Sequence, residues 1–128
     1  MQKLAWIAFA GALGALTRYS MTGLARQIGG SQFPWGTLVV NILGCFAFGI
    51  IWSLAEDHLL ISAETKLIVL TGFMGAFTTF SSFIFETGDL LRDSLWGMAV
   101  VNLLLQNLVG LIFLFLGLRA GNLFFSHG

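Results

Sequence analysis

The sequence predicts an all-α membrane protein of four transmembrane helices, and three observations carry that reading. Of its 128 residues, 57% are hydrophobic and only 9% are charged, whereas a soluble domain carries about 25% charged residues and needs a polar surface larger than its core. The mean hydropathy is +0.90, and the apolar residues gather in long runs. A membrane helix takes about 20 residues, so 128 residues hold four spans and leave no room for a soluble domain. Six Lys+Arg balance six Asp+Glu, with no basic run, which argues against a nucleic-acid partner or a polybasic lipid anchor.

The expected spans are residues 4–24, 37–55, 67–91 and 95–118, a single unit over 1–128 in contact with the lipid bilayer. The first begins after Lys3 and is crowded with Ala8, Gly11, Ala12, Gly14 and Ala15. It has the look of a signal peptide, but Arg18 and the small residues suit a retained, packed helix. Pro34, the only proline, falls in the linker before the second span, where it interrupts nothing. The second span contains Asn41 and a lone Cys45, which has no partner for a disulfide or a metal site and reads as a small buried hydrophobe. Trp6, Tyr19, Trp35, Trp52 and Trp96 lie near proposed span ends, where amphipathic rings settle at a bilayer interface.

The third span is the most informative. Seven of the twelve residues from Thr71 to Ser82 are Gly, Thr or Ser. Its length exceeds what one continuous span needs, leaving room for a break that would expose backbone carbonyls to a cation. The competing reading is a continuous helix whose Ser and Thr bond back to the preceding turn; composition leaves the two open. Phe80 and Phe83 are three apart, neighbours on one face if the helix resumes there. Ring edges are electropositive and can line an anion path, although plain packing is the commoner use of such a pair. Glu86 and Asp89 close the span, as interfacial groups or as an acid at a pathway mouth. In the fourth span Asn102 and Gln106 share one face, with Gly110 continuing the row. Asn107 points elsewhere, toward a neighbouring helix.

Polar groups inside a membrane tend to mark function. Arg18 lies roughly 21 Å along its helix from Leu4, so it is either an interfacial anchor or a cation at the mouth of an anion pathway. Asn41 is either an interhelical clasp or a group that lines a pore and donates to a dehydrated anion. Orientation is undecided by charge. Lys3, Lys66 and Arg119 share one side, against Arg26 and Arg92 with Arg18 nearby, and so small a bias does not fix topology. Either a partner sets the orientation or the chain inserts both ways, which would allow an antiparallel homodimer.

These residues also carry a resemblance. The string Gly72-Phe73-Met74-Gly75-Ala76-Phe77-Thr78-Thr79-Phe80-Ser81-Ser82-Phe83, followed by Glu86, is similar to the signature of the Fluc/CrcB family of small bacterial fluoride channels. Gly36-Thr37-Leu38-Val39-Val40-Asn41 and Gly14-Ala15-Leu16-Thr17-Arg18 match that family in order and spacing, so the resemblance covers all four spans. It implies a dual-topology antiparallel homodimer in the bacterial inner membrane, with two narrow pores that export fluoride passively and relieve its toxicity. It implies further that Phe80 and Phe83 meet fluoride edge-on and that Asn41 orients them and assists the ion. The Gly75 and Thr78 carbonyls of both subunits would hold a central structural sodium ion. Arg18 would stand at the vestibule, Asn102 and Gln106 on a fourth-helix polar track, with Thr37 and Ser82 as further lining and Glu86 at a pore mouth. Two positions depart from the pattern: Ile84 stands where a small hydroxyl residue is often found, and Phe77 makes the expected break bulkier.

The rival reading is a small proton-coupled multidrug transporter. It would need a carboxylate deep in a span, typically the first, and there the only ionisable residue is Arg18. A third class, a non-transporting assembly subunit, leaves the Phe and Thr/Ser pattern unexplained. An enzyme is not expected, because no metal-ligand cluster stands in the sequence and neither histidine lies beside a buried nucleophile.

Overall fold

A computed structural model describes residues 1–125, and every regular element among them is helical. Helix α1 (Gln2–Gly29) stops where Gly30 adopts φ 89° and its N–H turns back to the Arg26 carbonyl. That left-handed backbone favours glycine. The chain then reverses, and the Trp35 ring packs close to Gly29, where a Cβ would stand 2.5 Å from it. Helix α2 (Trp35–Asp57) begins directly after Pro34. It is α-helical to Trp52 and π-helical over Ser53–Asp57.

The Ser62 hydroxyl accepts the Thr65 amide and so caps the start of helix α3 (Ala63–Arg92), as a serine at that position does. Helical hydrogen bonding in α3 lapses across residues 78–80. One stretch ends at Phe77, Thr78 is extended (φ −87°, ψ 159°), and a second stretch starts at Ser81. After Arg92, Ser94 takes φ 59° while Leu95 N–H reaches the Leu90 carbonyl at 2.8 Å. This left-handed helix end turns the chain tightly into α4 (Trp96–Phe125), which is π-helical over Leu105–Val109.

Glycine sets the packing. A methyl group on Gly117 would overlap the Phe46 carbonyl, and one on Gly49 the Leu114 carbonyl, so α2 and α4 touch backbone to backbone. Gly14 meets the Phe73 carbonyl, and Gly72 lies 3.0 Å from Ile7 O on the same measure, which joins α1 to the first half of α3. Close approach of small residues is how helices gain van der Waals contact in lipid. These small-residue faces are therefore occupied within the chain. The core is compact: Val40, Met74 and Phe77, flanked by Met21, Phe48, Leu70 and Phe73.

The exterior is apolar, and polar side chains are buried beside the apolar core. Thr37, Ser53, Thr87, Asn102 and Gln106 are buried, while Leu4, Phe9, Leu111 and Phe115 are exposed. Such an exterior suits lipid or another protein surface. Among the described residues, α2, α3 and α4 are long and apolar enough to cross a membrane. Helix α1, at 28 residues, is long enough, but Thr17, Arg18, Tyr19 and Ser20 dilute its apolar run. Of the four expected spans, three are thus supported by length and composition. The chain is a multi-pass membrane protein.

Candidate functional site

The interruption in α3 is held open by one side chain from α2. Thr79 N–H would close the next helical turn on the Gly75 carbonyl, but it donates instead to Asn41 Oδ1 at 2.8 Å. Asn41 Nδ2 in turn donates to the Thr79 carbonyl at 2.9 Å. The carboxamide thus replaces, in both directions, the backbone partners that the lapse removes. A buried peptide group must find such a partner. Thr79 Oγ1 accepts the Ser82 amide at 3.2 Å and so completes the first turn of the resumed helix. Thr78 Oγ1 bonds back to the Met74 carbonyl at 2.9 Å.

Asn41 Nδ2 also donates to Gln106 Oε1 at 2.9 Å, so both of its hydrogens are engaged. From Gln106 the polar contacts continue along α4: Gln106 Nε2 lies 3.5 Å from Asn102 Oδ1, and Asn102 Nδ2 donates to Thr87 Oγ1 at 2.9 Å. Asn102 and Gln106 lie on one buried face of α4, together with Gly110. Asn107 does not reach another helix of the chain; it is exposed and bonds to the Leu103 carbonyl of its own helix.

The two phenylalanines are brought together but differ in burial. Their ring centroids are 5.9 Å apart at 69°, edge to face, a favoured aromatic arrangement. Phe83 is only 6% exposed, whereas Phe80 is 74% exposed. One chain alone therefore does not enclose the pair.

Two cavities flank the interruption. The larger, about 710 Å³, is lined by Arg18, Thr37, Thr79, Ser82 and Glu86, together with Tyr19, Thr22, Arg26, Asp89 and Asp93. Across it Thr37 Oγ1 donates to Glu86 Oε1 at 2.9 Å. The other carboxylate oxygen, Oε2, and the Arg18 Nε atom are buried without a hydrogen-bond partner. Four expected site residues, Arg18, Thr37, Ser82 and Glu86, thus share one polar chamber. The smaller cavity, about 360 Å³, is lined by Asn41, Gly44, Cys45, Gly75 and Thr78 among mainly apolar neighbours.

Among the described residues no cluster of His, Cys, Asp and Glu could hold a metal ion. A cation here would have to be held by carbonyl oxygens, and Gly75 fits that demand because Asn41 has taken the amide that would otherwise bond its carbonyl. Helix carboxyl ends also favour positive charge. Oxygen-bound hard cations take about six ligands, so Gly75 and Thr78 of one chain would supply only part of a shell.

Two contributors escaped the reading of the sequence. Thr79 meets Asn41 through its backbone, and Thr87 links Asn102 to the Phe83 carbonyl. A backbone role leaves no side-chain signal, and threonine is common enough in membrane helices to pass unnoticed.

Comparison with known proteins identifies relatives of the chain. Residues 5–118 match the family model described as CrcB-like protein, Camphor Resistance (CrcB). A protein of Nitrosococcus oceani named fluoride-specific ion channel FluC is 61% identical over 91% of this chain and 93% of its own length. Proteins of the same name from Desulforapulum autotrophicum and Solidesulfovibrio magneticus are 54% and 50% identical, over 94% and 96% of this chain and 97% and 98% of their own.

Proposed function

The chain belongs to the CrcB-like protein family, and from that premise we propose that it is a fluoride-selective channel, not an enzyme. It lets fluoride leave the cell passively across the bacterial inner membrane and so limits fluoride toxicity. The observation that carries the reading is the Asn41 clasp on Thr79, which places an interrupted helix, the Phe80–Phe83 edge pair and an amide-lined interior side by side. The name and near-complete coverage of the relatives supply the ion.

In this reading all four helices span the membrane, α1 included, and residues 78–80 are the break in the third. Fluoride enters the polar chamber, where the Arg18 cation raises the local anion concentration and Thr37, Ser82 and Glu86 form the wall. It then sheds water against the electropositive edges of Phe80 and Phe83. Both Asn41 hydrogens are engaged, so Asn41 acts as the brace that orients the ring pair. Donation to the ion falls to the second amide hydrogens of Gln106 and Asn102.

The exposed Phe80 ring and the partial shell at Gly75 and Thr78 both call for a second copy. An antiparallel homodimer supplies it, building two pores and a central sodium site from the four carbonyls. Bound there, sodium would neutralise the carbonyl ends of the two interrupted helices and fasten the dimer. A proton-coupled drug transporter is not favoured, because α1 presents Arg18 rather than a carboxylate.

The test is efflux from liposomes holding the purified protein, followed with fluoride- and chloride-selective electrodes. Rapid fluoride loss with chloride retained is expected; absence of fluoride flux from a verified dimer overturns the reading. Phe80→Ile and Phe83→Ile are each expected to abolish the flux while the dimer persists. Undiminished flux in both would remove the ring-edge mechanism.

A further inference from the structure

Thr87 is assigned no role by the sequence motifs or by the names of the relatives, yet it occupies a decisive place in the buried polar network. It is 6% exposed. Its hydroxyl donates to the Phe83 carbonyl at 2.8 Å, and the same oxygen accepts from Asn102 Nδ2 at 2.9 Å. We propose that Thr87 is a positioning residue for Phe83, the terminus of a one-way hydrogen-bond chain that ties the ring to α4 and to the α3 interruption. This rests on the fluoride-channel reading of the same site.

The direction of the chain follows from its two ends. At one end a backbone N–H and a backbone carbonyl of Thr79 grip Asn41, which fixes which atom of that carboxamide is the donor. Asn41 must therefore present N–H to Gln106, whose oxygen accepts it and whose nitrogen faces Asn102. At the other end the Phe83 carbonyl only accepts. The Thr87 hydrogen must go there, leaving its lone pairs for the Asn102 N–H. Both ends dictate the same orientation for the two amides between them. Reversing any one member would set donor against donor or acceptor against acceptor in a buried space, where an unmade bond is costly.

A threonine bonding to the carbonyl four residues back is common in helices and bends them slightly. Thr17 and Ser20 do so here, on the exposed side of α1. Thr87 differs because a second helix holds its oxygen, so its rotamer is fixed and its pull on the first turn of the resumed helix is constant. That turn carries Phe83, whose ring meets Phe80 edge to face. Functional groups need placement within about 0.5 Å of their working geometry. Loss of the tether lets the Phe83 backbone relax and turns the ring edge away from the ion path.

The experiment is single-channel recording of fluoride current in planar bilayers, because unitary current counts folded channels one at a time and is indifferent to folding yield. Thr87→Val keeps the shape and removes the hydroxyl; its unitary current is expected to fall roughly tenfold, equivalent to about 1.4 kcal/mol on the conduction barrier. Thr87→Ser keeps the hydroxyl and is expected to conduct within about twofold of the unmodified channel, a ratio worth under 0.5 kcal/mol. Thr87→Ala serves if the valine variant does not assemble. Unchanged unitary current in the valine or alanine channels, with only fewer of them, overturns the proposal, as does a serine channel as poor as either. If the unmodified protein passes no fluoride current at all, the channel reading itself fails and takes this inference with it.

Discussion

Asn41 is the residue on which the site turns, because one carboxamide makes three hydrogen bonds that no other side chain supplies. Asn41→Leu keeps the branched skeleton, with bulkier methyl ends, and makes none of the bonds. It leaves the Thr79 N–H and carbonyl and the Gln106 oxygen without partners, at roughly 1–3 kcal/mol for each buried group that water does not reach. The expected outcome is a clear fall in melting temperature in detergent together with loss of fluoride flux, read by scanning fluorimetry and electrode traces on one preparation. Asn41→Asp should fail differently: it still accepts the Thr79 amide but faces the Thr79 carbonyl and Gln106 oxygen with negative charge. A leucine variant as stable and as active as the parent would show that the interruption holds itself open. Asn41 and Gln106 were legible in the sequence because an amide in an apolar run is expensive and needs a reason. Their meeting partner was not. Thr79 enters through main-chain atoms, and nothing in a side-chain pattern announces which backbone amide has lost its helical acceptor. The unequal burial of Phe80 and Phe83 was hidden for a related reason: face assignment by spacing assumes an unbroken helix, and the lapse at residues 78–80 lies directly before Phe80's successor turn.

At the scale of elements, glycine decides where helices touch, and it does so unequally. Gly117 sits under the Phe46 carbonyl, so any Cβ there forces α2 and α4 apart, whereas Gly23 on α1 has nothing within 4 Å of where its Cβ would stand. Gly117→Leu is therefore expected to destabilise by about 1–3 kcal/mol or to prevent assembly, as overpacking does. Gly23→Ala is expected to be neutral or to stabilise by up to about 1 kcal/mol through helix propensity. Thermal unfolding in detergent compares them directly, and equal effects would contradict the packing described. The positions of the helices were readable from hydropathy and from the polar linkers, while their ends ran on beyond the expected limits because caps at Gly30, Ser62 and Ser94, not hydropathy, stop or start them. Small residues were recognised as packing groups, but their spacing alone could not tell an intrachain seam from a seam between copies. The π-helical segment over Leu105–Val109 had no signal either; it carries Gln106 at the point where α4 faces Asn41, and such wide turns recur at functional sites.

The whole molecule carries two kinds of unfinished business, an apolar exterior and a charge distribution that chooses no orientation. With all four helices spanning, as proposed, three Lys and Arg stand on the side of the termini against two on the other with Arg18 near the boundary, so the orienting bias is within one charge, and a rule that reads Lys/Arg excess has almost nothing to read. In the proposed channel a chain so poised inserts both ways, and a dimer of opposed copies would then follow from a single gene product without any internal repeat. Shifting the balance should make that dependence visible. Arg26→Gln with Arg92→Gln leaves positive charge mainly on the side of the termini, while Lys3→Gln with Arg119→Gln leaves it mainly on the other. These charges lie outside the interruption and the amide chain, although Arg26 lines the polar chamber, so Arg26→Gln is also tested in single-channel current; the Arg92–Asp89 pair is exposed and contributes little to stability. Each biased variant expressed alone should populate one orientation and lose fluoride resistance in cells that lack another exporter. Expressed together, the two should restore it, because each supplies the orientation the other lacks. Full resistance from either variant alone would mean that parallel copies, or one copy, build the pore, and the exposed Phe80 ring would then have to be covered by lipid. Restoration only in the mixed cells would tie the near-zero charge bias of the sequence to the geometry of the pore, as expected if the second ring edge and the remaining carbonyls come from an inverted partner.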